Sequence, residues 1–151
     1  MSLDKDIVFN QLSFKNQEEL FKFASQVLED KQYVKPSFYT AIVAREKQYP
    51  TGIEVNGVNV ALCHTDAEHI IENKIMVLKL DEPIEFKSME TLEYIDVKLV
   101  FILLLNDPAL HLEVLQNIST ILQDETYLNE IYTTQTKENL FDLLKEKVQI
   151  T

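Results

Sequence analysis

The sequence predicts an α/β protein: a mixed β-sheet of about five strands flanked by helices. Three observations carry that prediction. Helical periodicity dominates the first and last parts of the chain, short apolar strand-like pieces fill the middle, and Val97–Leu105 is a nearly unbroken run of Val, Leu, Ile and Phe. Such a run fits a strand covered on both faces. Two helices, a series of strands and then helices again make a sheet with helical layers the natural packing.

Asn16 followed by Glu19 reads as a capping box that opens a helix reaching about Asp30. Leu20, Phe21, Phe23, Ala24, Val27 and Leu28 fall on one stripe at helical spacing. A second helix starts near Pro36-Ser37, takes Phe38, Ala41, Ile42 and Ala44 as its apolar side, and stops at Pro50. Ile53–Val55 and Val58–Leu62 read as strands joined by Asn56-Gly57, a strong short hairpin signal. Ile75–Leu80 alternates like a strand, and Val97–Leu105 follows. Asp107-Pro108 then opens a helix from about Ala109 to Gln123, with Leu110, Val114, Leu115, Ile118, Ile121 and Leu122 as its stripe. Shorter helices around Thr126–Tyr132 and Thr136–Lys147 end the series.

A chain of 151 residues with 46% apolar composition suits one domain spanning residues 1–151. No apolar run approaches the roughly 20 residues that cross a bilayer, and no basic start and apolar stretch of a secretory signal stands at the N-terminus. A single cysteine provides no disulfide framework, and the expectation is a cytoplasmic protein. Net charge is −11, which repels nucleic acid and anionic lipid and favours a protein partner with a basic face. With only Gly52 and Gly57 available, neither common glycine-rich nucleotide loop can be built.

The chemistry must come from few residues. His64 follows the strand Val58–Leu62 and Cys63, at a strand's C-terminal edge, where ligands of open α/β sheets tend to sit. Position alone does not separate a functional histidine from one that merely ends a strand. Arg45 is the only arginine among 14 basic residues. Its planar fork can grip a phosphate through two parallel hydrogen bonds, where lysine offers a point charge; the plain alternative is an exposed helix charge near a Glu. His111 falls in the first turn of the helix after Asp107-Pro108, where backbone N–H groups lower a histidine's affinity for a proton. It could donate to an anion or simply pack against the sheet. His69 lies five residues past His64, and Asp66 lies between them. That cluster holds metal-ligand types but none of the usual zinc spacings. Cys63 reads as a small core residue, and no G-x-S-x-G elbow is present.

Arg45-Glu46-Lys47-Gln48-Tyr49-Pro50-Thr51-Gly52 forms R-E-x-x-x-P-T-G, and Val60-Ala61-Leu62-Cys63-His64 is an apolar strand ending in histidine. Together they resemble the IIA proteins of the bacterial phosphotransferase system, in the fructose–mannitol superfamily. Pro83-Ile84-Glu85-Phe86, Val100–Leu104 and His111-Leu112 with Leu115 match its later landmarks, so the similarity runs from about Tyr39 to Leu122. His64-Thr65-Asp66-Ala67-Glu68-His69 looks most like the galactitol-type branch. Two positions depart from the pattern. Cys63 stands where family members often have Pro, and Val58 stands where mannitol-type members place a Glu, to which Glu54 is not equivalent.

The resemblance implies a phosphohistidine relay. Phospho-HPr would present its phosphohistidine, and His64 would attack through Nε2. Arg45 would be the main stabiliser of the moving group and His111 a neutral hydrogen-bond donor, helped by backbone N–H groups at Thr65 and Asp66. The phosphoryl group would pass to a cysteine of a IIB protein, which phosphorylates a galactitol-like polyol or related sugar as the membrane partner IIC admits it. No cofactor and no metal are implied. The rival expectations are a regulatory protein phosphorylated on His64 as a signal, a metal-dependent enzyme using His64, Asp66 and His69, and a plain interaction module.

Overall fold

Asn16 starts the first helix as the sequence predicts: its side-chain oxygen accepts a hydrogen bond from the Glu19 N–H at 3.0 Å. The reciprocal half of the capping box is displaced by one residue, since Glu19 Oε1 takes the Lys15 N–H at 3.5 Å. The computed structural model describes residues 3–55 and 58–148. Helix α1 (Gln17–Asp30) buries Leu20, Phe21, Ala24 and Leu28. Helix α2 (Phe38–Gln48) buries Phe38 and Ile42, and also Glu46, while Ala44 is exposed. Ser37 stands at its N-cap without capping it, because its hydroxyl lies 2.7 Å from His69 Nδ1 instead.

Five strands form one sheet in the order β1-β4-β5-β3-β2: β1 (Val8–Leu12), β2 (Gly52–Val55), β3 (Val58–His64), β4 (Lys74–Lys87) and β5 (Tyr94–Leu104). The sheet is mixed. β1 runs parallel to β4 and β3 parallel to β5, whereas β2–β3 and β4–β5 are antiparallel. The turn expected at Asn56-Gly57 lies outside the described residues. Strand β1 has no counterpart among the predicted elements. Strand β4 continues well past Leu80 to include Pro83–Phe86, its register with β5 shifting between Lys79 and Ile84. Helix α3 (Pro108–Gln123) begins with Pro in its first turn and Asp107 as N-cap, the carboxylate accepting the Ala109 N–H at 2.9 Å. Helices α4 (Glu125–Thr133) and α5 (Lys137–Leu144) follow, the last ending earlier than predicted.

Strand alternation sorts the core into two layers. On β5, Leu99, Phe101 and Leu103 face α3, α4 and α5 together with Val60 and Leu62 of β3. Val100, Ile102 and Leu104 face the other way, with Ala61 and Cys63, into a layer built by α1 and α2. All six of those β5 side chains are buried, which accounts for the unbroken apolar run. Burying each large aliphatic side chain contributes about 1.5–3 kcal/mol, so β5 is the strand the two layers share.

Candidate functional site

Strand β3 delivers His64 as its last residue, paired with Leu103 of β5. Because β3 and β5 are parallel, their C-terminal ends lie side by side. The chain leaving β5 runs at once into the first turn of α3, which brings His111 to His64. The two imidazoles meet edge to face, centroids 5.1 Å apart at 66°. Arg45 arrives from the opposite layer, in the last turn of α2, and reaches around the sheet end to Asp66: Nη1 to Oδ1 is 3.3 Å. Arg45, His64, Asp66 and His111 line one cleft of about 310 Å³, together with the 105–108 segment.

The tautomer of His64 follows from its partner. Nδ1 lies 3.1 Å from the carbonyl oxygen of Leu62, which can only accept, so Nδ1 carries the hydrogen and Nε2 keeps a lone pair. The pKa of His64 is lowered, first by burial and then by the Arg45 charge, against the opposing pull of the Leu62 carbonyl and Asp66. That of His111 is lowered by burial and by the charges of His64 and Arg45. Both rings therefore favour the neutral form. One offers a nucleophilic nitrogen and the other an N–H donor.

Arg45 is held on its flat side by Tyr49, four residues on, with the guanidinium carbon 4.9 Å from the ring centroid. Its Nε is buried and has no hydrogen-bond partner, an unmet donor of a kind that folded proteins rarely keep. Beneath the site, the buried carboxylate of Glu46 accepts the Thr51 N–H at 2.8 Å and the Thr51 hydroxyl at 2.6 Å. Thr51 Oγ1 in turn lies 3.7 Å from Cys63 Sγ. These contacts tie the end of α2, which carries Arg45, to the strand that carries His64. Burial raises the Glu46 pKa against the lowering effect of the Thr51 hydrogen bonds, and burial with the nearby Glu46 charge pushes the Cys63 thiol well up. Cys63 is inert packing here.

The structure thus brings together Arg45, His64 and His111. His69 does not line the cleft; its Nδ1 sits on Ser37 Oγ and its Nε2 is 3.7 Å from Glu68. Among the described residues no group of three or more His, Cys, Asp and Glu side chains is arranged to hold a metal ion. Glu54 is exposed on β2 and does not line the cleft. Sequence reasoning missed two contacts of Arg45. Tyr49 was signalled by its i+4 spacing from Arg45; Asp66 was named for its backbone N–H and as a metal-ligand type, but not for its ion pair with Arg45.

Comparison with known proteins agrees with this arrangement. A family model described as phosphoenolpyruvate-dependent sugar phosphotransferase system, EIIA 2, matches residues 1–147. The galactitol-specific EIIA component of Escherichia coli (strain K12) is 26% identical over 130 residues, covering 84% of this chain and 87% of the relative. The mannitol-specific IIA component of Bacillus subtilis (strain 168) is 25% identical over 145 residues, covering 94% of each. Among solved structures, the complex of enzyme IIAMtl with phosphorylated IIBMtl from Escherichia coli has a chain that superposes with a TM-score of 0.77 at 21% identity. The match covers 94% of this chain and 96% of that one and shows a shared fold. With a strand-end histidine, a lone arginine and a match over nearly the whole chain, the protein belongs to the EIIA 2 family of the phosphoenolpyruvate-dependent sugar phosphotransferase system, as a phosphotransferase subunit similar to mannitol- and galactitol-specific components.

Proposed function

We propose that His64 carries the phosphoryl group, receiving it from phospho-HPr and passing it to a cysteine of a IIB protein. The observation that carries this reading is the fixed tautomer: Leu62 holds the Nδ1 hydrogen, so Nε2 is the nitrogen with a lone pair. In the forward step that lone pair attacks phosphorus in line, and the N–P bond to Nε2 forms as the donor's P–N bond breaks. The breaking bond's electron pair returns to the donor ring, which leaves as neutral imidazole if its other nitrogen is protonated. His64 keeps its Nδ1 hydrogen throughout, so no proton crosses. The second step reverses the pattern, with a thiolate of IIB as nucleophile.

Charge on the moving group is spread over its oxygens and needs fixed partners. Arg45 serves as the cation and neutral His111 as a hydrogen-bond donor, without a cofactor. The partners dock on an apolar groove of about 300 Å³ lined by Ile53, Val55, Leu62, Leu115 and Leu122. Leu62 and Leu115 lie two residues before His64 and four after His111. Leu112, 59% exposed, extends the apolar surface. The net charge of −11 suits a donor with a basic face. Transfer demands a dissociable complex, hence an interface at the modest end of the size range.

Among the described residues no helix is long and apolar enough to cross a membrane, and this reading assigns membrane passage to a IIC partner reached through IIB, with the IIA protein in the cytoplasm. Identity to the galactitol-specific relative supports a galactitol-like polyol as the sugar served. The test is incubation with enzyme I, HPr and labelled phosphoenolpyruvate. The wild type acquires an acid-labile label that a purified cognate IIB removes, and His64→Ala acquires none. A His64→Ala protein that still takes the label would remove His64 from the role.

A further inference from the structure

Among the described residues Arg45 is the only Lys or Arg lining the cleft, and it already has an anionic partner. Its Nη1 is 3.3 Å from Asp66 Oδ1, and both side chains line the same cleft as His64. Asp107, the other carboxylate of the cleft, is committed to the Ala109 N–H. Asp66 is not so committed. It stands at the N-cap position of a short 3-10 turn (Ala67–His69), where an aspartate ordinarily accepts a backbone N–H, yet its side chain makes no capping bond. Its carboxylate is 69% exposed. Tyr49 meanwhile holds the guanidinium, which limits how far Arg45 can turn away from Asp66.

We propose that Asp66 is a positioning residue that holds Arg45 in place over the empty site and then competes with the phosphoryl group for it, keeping the phosphohistidine easy to hand on. The proposal rests on the reading of His64 as the carrier. In the empty protein the ion pair aims the guanidinium into the cleft. Once the N–P bond to Nε2 has formed, the dianionic group and the carboxylate share one cation, and like charges face each other. The loaded state is raised relative to the empty one. When the thiolate of IIB takes the phosphoryl group, the electron pair of the N–P bond returns to Nε2 and Arg45 regains Asp66 as sole partner. A carrier bound too tightly to its cargo would stall, and Asp66 works against that.

The test is the equilibrium between phospho-HPr and the labelled protein, measured for wild type, Asp66→Asn and Asp66→Glu. An exposed charge of this kind is worth a shift of about threefold. Asp66→Asn is therefore expected to favour the labelled form by about threefold, and to slow transfer to IIB by a similar factor. Asp66→Glu, which keeps the charge, returns toward wild type. The difference between wild type and Asp66→Asn shrinks in high salt, since exposed charges are screened. An Asp66→Asn equilibrium equal to wild type, or displaced toward phospho-HPr, overturns the proposal. Independently of any variant, nitrogen NMR of the wild-type Arg45 side chain should show its Nη resonances moving on phosphorylation, and unmoved resonances overturn it as well. A wild type that takes no label removes the carrier reading and this proposal with it; a labelled wild type with an unmoved Asp66→Asn equilibrium removes only the role of Asp66.

Discussion

Replacing Arg45 by Lys separates charge from geometry at the cleft. The guanidinium lies against Tyr49 and sends Nη1 to Asp66, which leaves other N–H donors of the same plane for a phosphoryl oxygen. Lysine keeps the positive charge but lacks the planar array, so it can meet Asp66 or the phosphoryl group but not both in fixed geometry. One charge-assisted hydrogen bond lost in the transition state is worth about 1.5–3 kcal/mol, or roughly 10- to 150-fold in rate. The folded state loses only part of two small terms, because lysine keeps the charge: the exposed ion pair contributes at most ~1 kcal/mol and the cation–π contact at a partly exposed site about 0.5–1 kcal/mol. Single-turnover transfer from phospho-HPr, followed by rapid quench, should therefore drop at least tenfold while the thermal midpoint stays within a few degrees. Transfer within about threefold of wild type would mean that a point charge suffices and that the fork has no part in the reaction.

The pH dependence of phosphoryl acceptance should follow the neutral form of His64. Because burial and Arg45 lower its pKa, the acid limb should lie below the ordinary histidine range; Arg45→Gln removes the charge and should move that limb to higher pH, whereas Arg45→Lys should leave it in place. Stability carries the same sign. His64 and His111 bind protons more readily in the unfolded chain, so urea unfolding should find the protein losing stability as pH falls through about 6.5 toward their lowered folded values. Glu46→Gln places an N–H₂ group where two donors of Thr51 now converge, and should cost about 1–3 kcal/mol by urea denaturation. Because the pKa of Glu46 is raised in the fold, wild-type stability should decline as pH rises above about 4.5 through the folded value, a component that Glu46→Gln should lack.

Much of the sheet was legible because its centre is covered on both faces. Val97–Leu105 could hardly be anything but a buried strand, and α3 announced itself through Asp107-Pro108 and a clean stripe. Strand β1 was not legible. Val8-Phe9-Asn10-Gln11-Leu12 is short, its register with β4 is irregular, and Gln11 has φ 62°, so strict alternation never develops. The continuation of β4 was hidden by Asp81-Glu82-Pro83, which interrupt the apolar alternation where the register with β5 slips. At the site, a lone arginine and a strand-end histidine could be picked out by chemistry. Glu46 could not: in a helix otherwise rich in charge near its end, nothing in its spacing distinguishes a surface carboxylate from one buried to hold Thr51. The carboxylate of Asp66 drew attention only as a metal ligand, and the residue otherwise only for its backbone N–H, because its pairing with Arg45 depends on how α2 reaches past the sheet edge.

Arg45 descends from one helical layer and His111 from the other, and they meet only at the edge of the strand that ends in His64. A chain with one layer docked and the other loose would present the imidazole beside half of its partners. On the carrier reading, competence to take up a phosphoryl group should thus report completed folding, sensitive to the docking of either layer.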